Sequence, residues 1–369
     1  MDIVKKKILF ILHIPPPVHG SSIIGKYIKE SKLINKEFDA AYINLGTSKS
    51  IDEIGKNPWS KIGTYLAILR KTTVRLIHNK PEIVYLALTA KGIGFYKDSV
   101  LVFFIKLFRV PLVLHFHNKG VSKNQHRFFD NFLYHFVFKN STVILLSPYL
   151  YADIQKYVIK ENVYYCPNGI PKIETDIKKL STNHNKSSIL FLSNLIVSKG
   201  VYVLLEACKI LKEKQLDFEC VFIGGIGDVS ESQFYSKRKE LELEKQVVYE
   251  GKKYGIEKEK AFLKADIFVF PTYYHNETFG LVNIEAMQYS LPVISTFEGG
   301  IPDVVEDGVT GFLVPQQDVE ALVAKMELLL NSSELRIKMG VAGRVKYEKE
   351  FTLTTFENKM IHILTAVLK

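Results

Sequence analysis

The stretch Phe268-Val-Phe-Pro-Thr-Tyr-Tyr-His-Asn-Glu277-Thr-Phe-Gly-Leu-Val-Asn-Ile-Glu285-Ala-Met287 decides how this chain is read. Its upstream part, Ala265 to Thr272, is an apolar run of the length of a short buried strand. From about Gly280 the spacing of Leu281, Val282, Ile284, Ala286, Met287 and Tyr289 predicts a helix packed on both sides. Two carboxylates eight residues apart, Glu277 and Glu285, therefore bracket a strand-loop-helix junction. In a parallel α/β sheet that junction lies at the carboxyl end of the strand, where ligands bind and free helix amides meet phosphate. Glu277 stands just before the helix, where any acidic residue gains from the macrodipole. Glu285 lies one turn after Leu281 on a helix whose other faces are largely apolar, and its carboxylate needs donors to offset desolvation. A sugar diol would supply two.

The pair resembles the E-x7-E motif of the retaining glycosyltransferases called group 1, or family 4. The flanks resemble it too: Phe270-Pro-Thr272 before, Glu285-Ala-Met287 after, then Leu291-Pro-Val-Ile294 and Gly299-Gly-Ile-Pro-Asp-Val-Val-Glu-Asp-Gly-Val-Thr-Gly-Phe-Leu-Val314. The resemblance implies the GT-B fold, an α/β arrangement of two Rossmann-like doubly wound parallel-sheet domains facing a cleft. It also implies metal-independent catalysis with no cofactor beyond a nucleoside-diphosphate sugar as co-substrate.

The pattern along the chain supplies two such domains. In the first half, strands at Lys7 to Ile14, Ala40 to Leu45, Glu82 to Leu88, Pro111 to His117, Thr142 to Leu146 and Asn162 to Cys166 alternate with helices at Ser22 to Leu33, Ile62 to His78, Val100 to Phe108 and Phe128 to Phe138. The polar stretch Lys172 to Ser188 marks the boundary. The pattern then restarts, with strands at Ser188 to Ser193, Phe218 to Ile223 and Val247 to Tyr249 and helices at Val201 to Lys212, Glu231 to Leu243, Val319 to Leu330 and Ser333 to Lys349. The expected domains are 1–172 on the acceptor side and 173–351 on the donor side. The resemblance implies that the last helix, 352–369, packs back on the first.

Composition bounds the function. With 369 residues, 47% hydrophobic and 24% charged, the chain has the make-up of a soluble globular protein. Its three cysteines lack metal-ligand spacing and suit a reducing compartment. The most apolar region, Val100 to Leu114, is interrupted by Lys106, Arg109 and Pro111, too soon for the ~20 apolar residues of a spanning helix. Residues 1–175 carry a net charge of +13 and the remainder -3. Such a basic half suits a phosphorylated acceptor or an anionic membrane surface, or is merely incidental. No zinc finger, RNA-binding signature or basic zipper region is present, so nucleic acid is not expected.

Other positions can carry chemistry. After the first strand, His13-Ile-Pro-Pro-Pro-Val-His19-Gly20-Ser-Ser22 ends in a helix start whose free amides suit an anion. It is similar to the family's glycine loop, usually Gly-Gly. Here His19 replaces one glycine, which leaves the backbone role to Gly20 and His19 as an acceptor-side candidate. His115-Phe-His-Asn118 closes the fourth strand. By resemblance His115 matches the histidine that approaches the donor sugar, and His117 is a further acceptor-side candidate. No HExxH or comparable spacing predicts a metal site. Ser193-Asn-Leu-Ile-Val-Ser-Lys-Gly200 resembles a segment in which an arginine and a lysine hold the donor diphosphate; Lys199 is retained, whereas Asn194 replaces the arginine. Gly224-Gly-Ile-Gly227 fails the spacing of a dinucleotide loop and looks more like the family's loop beside the nucleotide.

The expected function is retaining transfer of a sugar from a UDP-sugar, or alternatively GDP-mannose, to a glycan or polyprenyl-diphosphate-linked acceptor in the cytoplasm, peripherally at the inner membrane face. Catalysis falls to Glu277 and His115. Donor binding falls to Gly20, Asn194, Lys199, Phe279, Gly280, Leu281 and Glu285. A GT-B epimerase acting on nucleotide sugars without an acceptor, a non-catalytic nucleotide-sugar binding protein and, less well supported, a phosphorylase stand as alternatives.

Overall fold

A computed structural model describes residues 4–46, 58–173 and 186–369. The chain divides into two compact units, residues 1–169 with Leu353–Lys369, and Ile170–Thr352. Most of the polar stretch expected as the boundary lies outside the described residues. The division itself falls three residues earlier than 172, because the Ile170 amide already donates to the Phe351 carbonyl at 3.0 Å.

The first unit runs β1 (Lys7–Leu12), α1 (Gly20–Glu30), α2 (Lys32–Glu37), β2 (Asp39–Asn44), α3 (Pro58–His78), β3 (Ile83–Leu88), α4 (Gly92–Leu107), β4 (Leu112–Phe116), α5 (Val121–Asn124), α6 (Phe128–Phe138), β5 (Ser141–Leu145) and β6 (Val163–Tyr165). Its sheet has the order β2-β1-β3-β4-β5-β6, every pair parallel. The interior strand β3, Ile-Val-Tyr-Leu-Ala-Leu, is buried at all six positions, as a strand covered on both faces must be. The second unit continues with β7 (Ser187–Leu192), α7 (Val201–Glu213), β8 (Phe218–Ile223), α8 (Glu231–Glu240), β9 (Val247–Tyr249), α9 (Gly255–Lys264), β10 (Ile267–Val269), α10 (Leu281–Gln288), β11 (Val293–Thr296), α11 (Ile301–Val304), β12 (Gly311–Val314), α12 (Val319–Asn331) and α13 (Ser333–Glu350). Its parallel sheet has the order β12-β11-β10-β7-β8-β9. The last helix, α14 (Leu353–Val367), belongs to the first unit and packs on α2.

Several elements differ from the sequence expectation for identifiable reasons. The helix expected over Ser22 to Leu33 is two helices, because the Ser31 hydroxyl accepts from the Ile34 amide at 3.1 Å and so starts α2 afresh. α4 begins at Gly92, eight residues before the expected Val100; its two early glycines hide the helical spacing of Phe95 and Ser99, both buried. α9 was not expected at all. Its sequence, Gly-Ile-Glu-Lys-Glu-Lys-Ala-Phe-Leu-Lys, buries only Phe262 and reads as a charged surface run. The strand expected over Ala265 to Thr272 pairs only over Ile267–Val269. Just beyond, Pro271 has no amide to donate to a ladder.

Candidate active site

In the second unit the first strand, β7, lies between β8 and β10, so the chain reverses direction across the sheet between β7 and β10. Ligands of open α/β sheets bind outside the carboxyl ends of strands at such a reversal. The loops that leave these two strands are laced together. The Tyr273 amide donates to the Ser198 carbonyl at 2.8 Å, and a Cβ on Gly200, whose φ is +90°, would stand 2.3 Å from the Pro271 carbonyl oxygen. Only glycine permits that approach.

Lys199 and Glu277 meet here, the lysine Nζ donating to Oε2 of the carboxylate. Both side chains are 15% exposed. The ammonium also lies 4.5 Å from the Tyr274 ring centroid and 5.3 Å from that of Phe270, a floor that favours a cation. The other oxygen of Glu277, Oε1, accepts from the Gly280 amide at 3.1 Å. Gly280 itself has φ +68° and starts α10, so the chain turns into the helix with that amide facing the carboxylate. Leu281 follows as the first helical residue and is half-buried. Phe279 is buried against Phe351, ring centroids 5.8 Å apart. Its side chain is thus a wedge in the core that fixes the loop into α10.

Glu285, one turn further along α10, is held from one side only. Its Oε1 accepts from Lys258 Nζ at 2.7 Å, while its Oε2 is buried and has no hydrogen-bond partner. A buried carboxylate oxygen without a donor is costly, and this atom is suited to accept from a hydroxyl. Sequence reasoning missed Lys258, because it lies in the charged run of α9 and its partner is 27 residues away. Lys258→Met is expected to raise the donor KM about tenfold with kcat little changed, as the carboxylate loses its anchor. Lys258 and Glu285 are only 28% and 24% exposed, so a lowered melting temperature should accompany the kinetic change, as the carboxylate is left without its partner. A KM equal to that of the wild type would show that Lys258 does not position Glu285.

Asn194, in place of the expected arginine, accepts from the Gly225 amide through Oδ1 at 3.0 Å. The Gly224-Gly-Ile-Gly227 loop is therefore bound to the loop after β7. A Cβ at Gly225 would stand 3.1 Å from Asn194 Oδ1, 2.2 Å from Cε of Lys252 and 3.2 Å from its Nζ. The stem of Lys252 thus crosses this glycine and brings a cation beside Asn194. That residue comes from Glu250-Gly-Lys-Lys-Tyr254, the segment between β9 and α9.

In the first unit four histidines gather at the carboxyl end of the sheet. His13 follows β1, His115 is in β4, His117 follows β4, and His19 precedes α1. The rings of His13 and His19 are 5.8 Å apart and those of His115 and His117 4.2 Å. His19 is the N-cap of α1: its Nδ1 accepts from the Ser22 amide at 3.3 Å, which places its proton on Nε2. Gly20 is the first residue of that helix. His115 is fully buried, with Nδ1 hydrogen-bonded to the Tyr85 hydroxyl. It lies behind His117, which is half-buried.

All four imidazoles are held neutral. Burial, then Lys97 and the neighbouring histidines, lowers His13 to about 3. Burial, then His19, lowers His117 to about 4; burial also lowers His19 and takes His115 well down. Each starts from 6.5 in the unfolded chain, so below that pH the unfolded state binds more protons and stability rises with pH. The contribution is complete above pH 6.5 and is lost as pH falls, that of His117 running out near pH 4 and that of His13 near pH 3. The denaturant midpoint should therefore drop between about pH 7 and about pH 5, with a shallower drop in His13→Gln. An unchanged slope in that variant would contradict a neutral His13.

The chain is thus two doubly wound α/β units, the second carrying a Glu277–Lys199 pair and a half-satisfied Glu285 at its strand reversal, and it has the GT-B fold of the solved structures on which it superposes. Residues 172–346, nearly all of the second unit, match the family described as "Glycosyl transferases group 1". Two relatives are 32% identical. They are the capsular polysaccharide biosynthesis glycosyltransferase CapM of Staphylococcus aureus, over 197 residues, and the amylovoran biosynthesis glycosyltransferase AmsK of Erwinia amylovora, over 200. The matches cover 50% and 53% of this chain and 49% of each relative, so the chain spans about half the length of the curated relatives it matches. Among solved structures, Anabaena Alr3699/HepE in complex with UDP and glucose superposes with a TM-score of 0.74 at 17% identity, over 98% of this chain and 100% of that one. A sucrose-phosphate synthase from Thermosynechococcus elongatus superposes with 0.75 at 18% identity, over 98% and 99%.

Proposed function

We propose that the protein is a retaining glycosyltransferase that moves a sugar from a nucleoside-diphosphate sugar to a hydroxyl of a glycan or polyprenyl-diphosphate-linked acceptor in surface-polysaccharide assembly. A UDP-sugar is favoured as donor, with GDP-mannose as the alternative. The observation that carries this reading is Glu285, one oxygen on Lys258 and the other buried without a partner, as a ribose diol requires. The UDP-containing complex of Alr3699/HepE, a protein of the same fold, supports a nucleotide donor.

Departure of a diphosphate leaves positive charge on the sugar, so the site must stabilise both signs of charge. Without donor, Lys199 and Glu277 neutralise each other. A diphosphate would take Lys199, helped by the α10 amide at Leu281, with Lys252 supplying the cation that Asn194 lacks. Glu277, kept in place by the Gly280 amide, would then face the donor sugar. On the first unit His117, which is half-buried, is better placed than the enclosed His115 to meet a sugar hydroxyl; His115 would steady it from behind. His19, whose Nδ1 is engaged in the helix cap, offers only an Nε2 proton to an acceptor. The reading calls for no metal ion, and it places the protein in the cytoplasm at the inner membrane face.

A thermal-shift screen against UDP, GDP, ADP and their common sugars tests the donor site. Stabilisation by one nucleotide family, lost in Lys199→Ala, is the expected result; no shift with any nucleotide would contradict a standing donor site.

A further inference from the structure

The first unit carries a surface that the proposed chemistry leaves unused. α4 and α6 lie side by side with a constant offset. Tyr96 meets Phe129 with ring centroids 5.6 Å apart, Phe103 meets Phe136 at 6.2 Å, and Lys106 Nζ donates to the carbonyls of Phe136 and Lys139 at 2.6 and 2.5 Å. Ile93, Val100, Phe103 and Leu107 follow one another at spacings of seven, three and four residues and so share one face of α4. All four are exposed, Ile93 by 85%. Beside them Phe128, Phe129 and Phe132 open α6 with exposures of 89, 57 and 61%. Apolar side chains gathered in this way mark a contact surface, whereas scattered ones do not.

Charge narrows the partner. From Lys91 to Lys139 the chain has eight Lys and Arg against two acidic residues, Asp98 and Asp130. Both acids are buried. Every charged side chain that reaches solvent from this segment is therefore cationic, with Lys123 and Arg127 exposed just before the phenylalanines and Lys139 exposed at the other end of α6. A protein partner is ordinarily met with charges of both signs, whereas aromatic side chains ringed by cations of one sign suit the headgroup boundary of an anionic bilayer.

We propose that the α4–α6 face docks the protein on an anionic lipid surface, with Phe128, Phe129 and Phe132 entering the boundary of the acyl chains and Lys123, Arg127 and Lys139 meeting lipid phosphates. The inference rests on the reading above only in that a lipid-linked acceptor lies at such a surface. Lipid binding is measured without donor or acceptor, so the two readings fail in separate assays.

The test is co-sedimentation of the full chain with phosphatidylcholine vesicles, with and without phosphatidylglycerol, at low and high salt. The protein should bind the anionic vesicles and release at high salt. A variant carrying Phe128→Ser, Phe129→Ser and Phe132→Ser should partition about tenfold less or worse, and Lys123→Glu with Arg127→Glu should also weaken binding. An unchanged melting temperature in both variants would show that they fold. Absence of binding, binding indifferent to lipid charge, or binding unaltered by the triple substitution would overturn the proposal. So would a wild-type dimer that the triple substitution dissociates, since the face would then join two copies of the chain.

Discussion

Glu277→Gln lowers turnover by about 10²- to 10³-fold and leaves donor affinity unchanged or tighter. The substitution keeps an oxygen for the Gly280 amide, so the loop into α10 retains its cap-like contact. It removes the charge that would face the sugar as positive charge develops there. It also releases Lys199 from its present partner, and a lysine no longer shared with a carboxylate is freer to meet diphosphate. The kinetic signature is a fall in kcat with a steady or lower donor KM, measured by release of the nucleoside diphosphate. A rise in KM with unchanged kcat would assign Glu277 to ground-state binding alone.

Glu285→Ala weakens nucleotide binding by about 30- to 1,000-fold. The estimate takes two charge-assisted hydrogen bonds to a diol at about 2–4 kcal/mol together. The same carboxylate now depends on Lys258 alone, with its second oxygen unsatisfied, so most of its stabilising contacts would come from the ligand. Calorimetric titration with UDP checks the loss, and a paired titration of Glu285→Gln separates charge from shape. Wild-type affinity in the alanine variant would remove the ribose from this site.

How far the sequence could be read depended on the kind of contact involved. Phe128–Phe138, Phe218–Ile223 and Val247–Tyr249 occur at their expected bounds. Each has a hydrophobic pattern closed off by clear changes in composition, and its burial is set by near neighbours. α9 buries a single aromatic residue among alternating charges, and no periodicity reveals it. The site shows the same division. Glu277, Glu285, Lys199 and Gly280 stand out as a pattern along one stretch or its counterpart after β7, and the structure brings Glu277, Lys199 and Gly280 together. Lys258 and Lys252 were hidden because their partners lie on other elements. Likewise, nothing local joins His13 to His117: they follow β1 and β4, two strands separated in the sheet by β3, and only the strand order brings them near. The fully buried position of His115 follows from its place within β4, paired on both sides, while His117 lies past the strand's end.

The central claim is sugar transfer with retention from a nucleotide donor. Its most direct test is to incubate the protein with the nucleotide sugar that stabilises it and a polyprenyl-diphosphate-linked acceptor, and to read the product's anomeric configuration by NMR. The account predicts one glycosidic linkage with the donor's anomeric configuration, formed in step with nucleoside diphosphate and absent in Glu277→Gln. An inverted linkage, or a rearranged nucleotide sugar formed without acceptor, would contradict it.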